Sequence, residues 1–221
     1  MKLDDWDFEH IKYYLETDIK PSIQAEVGVA INGYTSHNSK GLRGCGFFSI
    51  PRLLFPEIDN LGSFITGTPN TTTLNIYNYL NLIMSQIDQN YSKFALFLIL
   101  IFRNGLLHTH QSKHFIDNDG KWLAYEFHLG SLNLPVDILR REHLTIETIP
   151  TNNQKKIIID FGVFYQDVIS SIDIFTNDIE KKYIHTFNLA MKKQQTPLTK
   201  ESIMKEYKSF DIDKELSFLD K

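Results

Sequence analysis

One cysteine, Cys45, stands in the whole 221-residue chain, so no intramolecular disulfide and no cysteine-cluster zinc site can hold the fold. Long apolar runs are missing as well. The longest, Phe94–Phe102, is nine residues, roughly half of what a bilayer span requires, and it predicts no transmembrane helix. The first residues, Met1-Lys2-Leu3-Asp4-Asp5-Trp6-Asp7, are acidic where a secretory signal is basic and then apolar, which predicts a cytoplasmic address. The serine-nucleophile pattern Gly-x-Ser-x-Gly, the dinucleotide pattern Gly-x-Gly-x-x-Gly and the Gly-Lys-Ser/Thr ending of a phosphate loop are all absent. No motif calls for a cofactor.

Basic charge is scarce too. The net charge is −4, which argues against a constitutive binder of long duplex DNA, since such proteins neutralise many phosphates with clustered Lys and Arg. The distribution is uneven. Residues 27–116 hold Lys40, Arg43, Arg52, Lys93, Arg103 and Lys113 against Glu57, Asp59 and Asp88, a balance of +3 against −7 for the remainder. Between Asp59 and Asp88 no charged residue occurs, so that stretch reads as contact surface or interior.

What is present is ordinary globular material, 42% apolar and 23% charged, which excludes whole-chain disorder. Trp6, Phe8, Ile11, Tyr14, Leu15 and Ile19 recur at helical spacing, and Pro21 can open a second helix through Ile23 and Val27. Six glycines and three prolines between Asn32 and Pro69 predict a long irregular connection with at most a short helix around Pro56–Phe64. Thr71–Thr73 can cap a helix through Leu74, Tyr77, Leu80, Ile83, Met84 and Ile87. Lys93–Arg103 is apolar on nearly every face, as in a helix buried within a helical domain or its dimer interface. Leu123, Tyr125, Phe127 and Leu129 alternate with Ala124, Glu126 and His128, a strand pattern. His143–Ile149 and Lys155–Phe161 are β-rich, so a small antiparallel meander is expected over about 121–161. Phe164, Val168, Ile172, Phe175, Ile179 and Tyr183 give a further helix, whose other face, with Asp167, Ser171, Asn177, Asp178 and Lys181, reads as solvated. The expected organisation is a mainly α domain over 1–192 followed by a polar helical tail over 193–221.

Chemistry concentrates just after the apolar helix, where Arg103-Asn104-Gly105-Leu106-Leu107-His108 is followed by His110, Lys113 and His114. An Arg can hold a phosphate bidentately, and a His a turn later can move a proton near neutral pH. That pairing suits RNA cleavage without a metal, because RNA supplies its own nucleophile in the 2′-hydroxyl. On an ideal helix Asn104 and His108 share a face, whereas Arg103 lies about 140° from His108. Gly105 must bend the chain, or antiparallel helices of two subunits must bring the sets into one groove. A rival reading makes His108, His110 and His114 metal ligands, with Asp117 or Asp119 as the fourth. In the plainest reading, Arg103 caps its helix and His108 packs against a neighbour.

The segment Arg103–His108 resembles the R-x(4–6)-H motif of the HEPN superfamily, including the polar residue that often follows its Arg, here Asn104. The resemblance rests on six residues set among helices over about 60–190. It implies an α-helical bundle, usually dimeric, whose Arg and His line a cleft at the dimer interface and in many members cleave RNA without metal, often in bacterial toxin–antitoxin and defence systems. It implies His108 as acid/base, Arg103 as transition-state clamp and Asn104 as polar support, with His110 and Lys113 as candidate substrate-binding residues beside them. The chain departs from the family in its β-rich insertion and in carrying His110 where one sub-group has a Tyr. The expectations are therefore a HEPN-like bundle with a small antiparallel β insertion acting as a metal-independent endoribonuclease, partnered by RNA, a second copy and an antitoxin or defence protein. The alternative is a non-catalytic helical dimer that binds a nucleotide, RNA or a partner protein.

Overall fold

The computed structural model describes residues 5–39, 49–103, 115–116, 122–128, 140, 142–151 and 154–196. The chain is mainly helical. Helix α1 (Phe8–Tyr14) starts at Asp7, whose side chain accepts from the His10 amide, and it passes through a π-helical turn (Leu15–Ile19) into α2 (Lys20–Ser39) without a break. Pro21 therefore does not open a separate helix. Its missing N–H and its ring disturb the turn before it, which is where the backbone widens to π geometry.

Helix α3 (Ser49–Thr66) lies inside the stretch expected to be irregular, and α2 extends into its start as far as Ser39. Pro51 sits in its first turn, where an N–H is not needed. Gly62 serves packing, since a Cβ there would lie 2.1 Å from the Asn75 carbonyl oxygen. That closeness lets α3 and α4 (Thr72–Leu82) approach backbone to backbone. Thr71 leaves the backbone of α4 uncapped and donates instead to Asn75 Oδ1 at 3.0 Å. Helix α5 (Asn90–Leu98) continues into a second π-helical turn, Ile99–Arg103. Helix α6 (Phe161–Asp178) is capped by Asp160, which accepts from the amides of Gly162 and Val163, and a third π-helical turn, Ile179–Tyr183, leads to α7 (Ile184–Gln194).

One core unites these elements, from Ile11, Leu15, Ile23 and Val27 through Leu54, Ile58, Leu61 and Phe64 to Val168, Ile172, Phe175 and Phe187. Phe64 and Phe187 lie 4.3 Å apart by ring centroid. The first and last described helical segments meet on this core: the Trp6 amide donates to Asn188 Oδ1 at 2.7 Å, and Asn188 Nδ2 returns a hydrogen bond to the Trp6 carbonyl at 2.9 Å. Among the described residues no helix is long and apolar enough to cross a membrane.

Strands β1 (Phe115–Ile116), β2 (Trp122–His128), β3 (Thr145–Ile149) and β4 (Gln154–Asp160) form a sheet in the order β1-β2-β4-β3. The expected antiparallel meander is corrected here: β2 and β4 are parallel neighbours, and only β3–β4 and β1–β2 are antiparallel. The reason lies in composition. Ile157, Ile158 and Ile159 of β4 are all buried, and a strand apolar on both faces takes the central place. Strand β3, with Ile146, Glu147 and Thr148 exposed, goes to the edge, where charge is tolerated. In β2, Leu123 and Phe127 pack against the core, Phe127 stacked on Phe161 at 5.4 Å, while Glu126 faces outward.

Candidate functional site

Of the residues singled out in the sequence, Arg103 lies in the π-helical turn Ile99–Arg103 that follows α5. Asn104, His108, His110 and Lys113 lie outside the described residues, as do His114, Asp117, Asp119 and Cys45 with its flanking glycines. A π turn takes one more residue per hydrogen-bonded ring than an α turn. The helical phase on which Arg103 is presented is thus shifted from the ideal-helix count, over the very residues where the motif begins.

The helix that carries Arg103 has two faces. Tyr91, Phe94, Ala95, Leu98, Ile99 and Ile101 are buried. Leu96 and Leu100 are 55% and 41% exposed, so the helix is not covered on all sides within one chain. The neighbouring α4 behaves likewise. Leu74 and Tyr77, expected on its inner face, are exposed, as is Leu82, while Ile76, Tyr79 and Leu80 fill the core. Ser92 donates to Asn81 Oδ1 at 2.5 Å, and Asn81 lies one turn beyond Tyr77. The two helices therefore meet at Ser92 and Asn81, and each leaves apolar side chains on its outer surface, that of α4 lying in a stretch without charge.

Behind that surface lies a buried polar chain that links α5, α6 and the sheet. The Asp160 amide donates to His143 Nδ1 at 3.1 Å, so that nitrogen is the acceptor and Nε2 carries the hydrogen. His143 Nε2 stands 3.0 Å from the Tyr91 hydroxyl, which in turn donates to Asp167 Oδ2 at 2.8 Å. Arg140 grips the same carboxylate with both terminal nitrogens, Nη1 to Oδ2 at 2.8 Å and Nη2 to Oδ1. From Asp160 to Asp167 the donors run one way, Arg140 donates to the same carboxylate from the other end, and each link has its acceptor. The preceding turn is built for it: Leu144 holds φ at 53°, its side chain is buried and its amide donates to the Ile158 carbonyl at 2.8 Å.

Burial dominates the electrostatics of this cluster. It raises the Asp167 carboxyl above its ordinary range despite the Arg140 partner, raises the Tyr91 phenol further, and pushes His143 down to about 3, with Arg140 adding to the last effect. His143 is thus neutral in the fold. An unfolded His takes up a proton near pH 6.5 while the folded one does not, so stability is fully present above that pH and falls as pH drops toward 3, at about 1.4 kcal/mol per unit. Urea midpoints measured from pH 7 to 4 are expected to fall more steeply for the parent than for His143→Gln; equal slopes would remove His143 from the account.

Asp167 and Ser171, which helical periodicity sets on a solvated face, are instead buried, at 1% and 0% exposure. Ser171 accepts from the Tyr79 hydroxyl at 2.9 Å and donates to the Val168 carbonyl at 2.7 Å. Asn177 and Lys181, on the same helix, are indeed exposed. No family model, curated protein or solved structure matches the chain.

Proposed function

We propose that the chain is a metal-independent endoribonuclease of HEPN type, acting as a homodimer with Arg103 and His108 as its catalytic pair, in defence or stress response. The observation that carries the reading is that the apolar α5 runs on through a π-helical turn that includes Arg103, and the sequence then supplies Asn104, His108, His110 and Lys113 within ten residues. The exposed leucines of α4 and α5 support the dimer, because so apolar a stripe beside an uncharged neighbour is a surface that a second subunit can cover.

The chemistry follows from the residue types. His108 takes the proton of the RNA 2′-hydroxyl, and the 2′-oxygen attacks the adjacent phosphorus. Arg103 stabilises the charge that develops on the non-bridging oxygens, with Asn104 as a neutral donor beside it. The bond from phosphorus to the 5′-oxygen breaks, the leaving oxygen receives the proton that His108 took, and the products are a 2′,3′-cyclic phosphate and a 5′-hydroxyl. His110 and Lys113 bind flanking phosphates.

The test is cleavage of single-stranded RNA in excess EDTA. Undiminished cleavage with cyclic-phosphate ends is the expected result. Loss of activity on chelation, restored by zinc or manganese, would transfer His108, His110 and His114 to a metal-binding role. A parent that binds a partner protein through the α4–α5 face yet cleaves nothing would make the chain a non-catalytic interaction module.

A further inference from the structure

We infer that the outer edge of β3 is a docking site for an extended basic segment of another protein, one in which lysine or arginine alternates with small apolar residues. Strand β3 is outermost in the order β1-β2-β4-β3, and one contact fixes which of its backbone groups are bonded to β4. The Leu144 amide donates to the Ile158 carbonyl at 2.8 Å, so Ile158 turns its backbone groups toward β3, and by the alternation of an antiparallel ladder Lys156 and Gln154 do the same. Their partners Thr145, Glu147 and Ile149 are thereby bonded to β4. Ile146 and Thr148 turn their N–H and C=O groups the other way, and among the described residues no strand pairs with them there. Such an edge is a template for one more strand.

The side chains decide which strand fits. Ile146 stands opposite Ile157, on the face of the sheet that packs on the core, yet Ile157 is 1% exposed and Ile146 46%. Core cover therefore stops at β4, and an apolar residue on an added strand would shield Ile146 from water. On the other face Glu147 lies level with Lys156, whose ammonium is 3.3 Å from Glu147 and 2.7 Å from Glu126. His128 stands between Glu126 and Glu142, at 2.8 and 3.9 Å. Three carboxylates thus share one lysine and one histidine, and a cation on the added strand beside Glu147 supplies what that face is short of. Lys155, paired with Thr148, is exposed on the core-side face and repels a cation there. The partner's charges must then fall on one face and its apolar residues on the other, which is the period-two alternation of a strand. A second copy of β3 fits poorly, because the two-fold register that uses both Ile146 and Thr148 is centred on Glu147 and sets that carboxylate against itself. A charge on an edge strand is the ordinary guard against unwanted pairing, and an acidic guard lets a basic strand pass.

The experiment titrates the isotopically labelled full chain with the acetylated, amidated peptide Lys-Val-Lys-Val-Lys-Val-Lys and follows amide exchange residue by residue. At a peptide concentration ten times Kd, the Ile146 and Thr148 amides should exchange about tenfold more slowly, because only the free protein exchanges. Glu147, already bonded to β4, should not change. The matching peptide with glutamate in place of lysine should not bind. Glu147→Gln should weaken the lysine peptide roughly threefold and flatten its salt dependence. Thr148→Pro removes an outward N–H while leaving the β4 ladder whole, so the peptide should no longer protect Ile146, with circular dichroism confirming the fold. Ile146 and Thr148 amides that are already protected in the parent alone would mean that the chain itself or a second copy occupies the edge, and would overturn the inference. Exchange at both amides that the lysine peptide leaves unchanged overturns it too, as does equal binding of the glutamate peptide. All three readings come from the parent protein, so they decide the matter even if Thr148→Pro does not fold.

Discussion

Asp167→Ala should cost the fold about 3 kcal/mol, near the low end of the 3–5 typical for breaking a buried ion pair. The low end applies because the Arg140 side chain, 27% exposed, keeps some water when its partner is gone. The loss has two sources. A half-buried guanidinium is left without its carboxylate, and the fully buried Tyr91 hydroxyl loses its acceptor, each a penalty of desolvation without return. Asp167→Asn should do little better, because its amide nitrogen would confront Arg140 donor to donor. Tyr91→Phe removes one hydroxyl and leaves the His143 Nε2 hydrogen unpaired, for about 1–3 kcal/mol. Urea unfolding at neutral pH would rank the variants. An Asp167→Ala midpoint within about 1 kcal/mol of the parent would mean the cluster is a bystander of the packing around it.

The larger effect on activity belongs to Arg103 and His108. Loss of a transition-state donor typically costs about 10²–10³ in rate, and loss of acid/base help about 10²–10⁴. Arg103→Ala and His108→Ala are therefore each expected to reduce RNA cleavage by at least about 10²-fold. His185→Ala, exposed on α7, should leave it unchanged. Stability is read in parallel by circular dichroism and melting, since a helix-terminal Arg can also cap carbonyls, a role worth only about 1 kcal/mol. If both variants stay folded and cleave like the parent, the catalytic pair is misassigned.

How much of this could be read in advance differs from element to element, for physical reasons. The α6 helix announced itself because Phe164, Val168, Ile172 and Phe175 keep one strict stripe. The same periodicity misplaced Asp167 and Ser171, since it sorts residues by polarity and cannot see that a polar side chain has a buried partner on another element. Those partners, Tyr91, Arg140 and His143, come from segments up to 76 residues away. The α3 helix was hidden by Pro51, Pro56 and Gly62, breakers whose cost is offset by a packed inner face of Leu54, Phe55, Ile58, Leu61 and Phe64. Strand order was hidden too, because parallel pairing depends on which strand is most apolar on both faces and not on which comes next. At the candidate site, composition picked out Arg103, but the π-helical turn that re-phases it leaves no signature in spacing.

The clamp between Trp6 and Asn188 sets a timetable for synthesis. The first helix leaves the ribosome early, yet the side chain that grips its backbone is 182 residues further on. At about 5–20 residues per second that is an interval of roughly 10–40 s. Throughout it Trp6 and Tyr14, whose rings meet Phe187 at 6.1 and 6.5 Å in the finished fold, have no Phe187 to rest on. The nascent chain thus carries an unfinished aromatic surface until its last described helix emerges. Arg103 itself is thus translated well before the last described helix is available to complete the core.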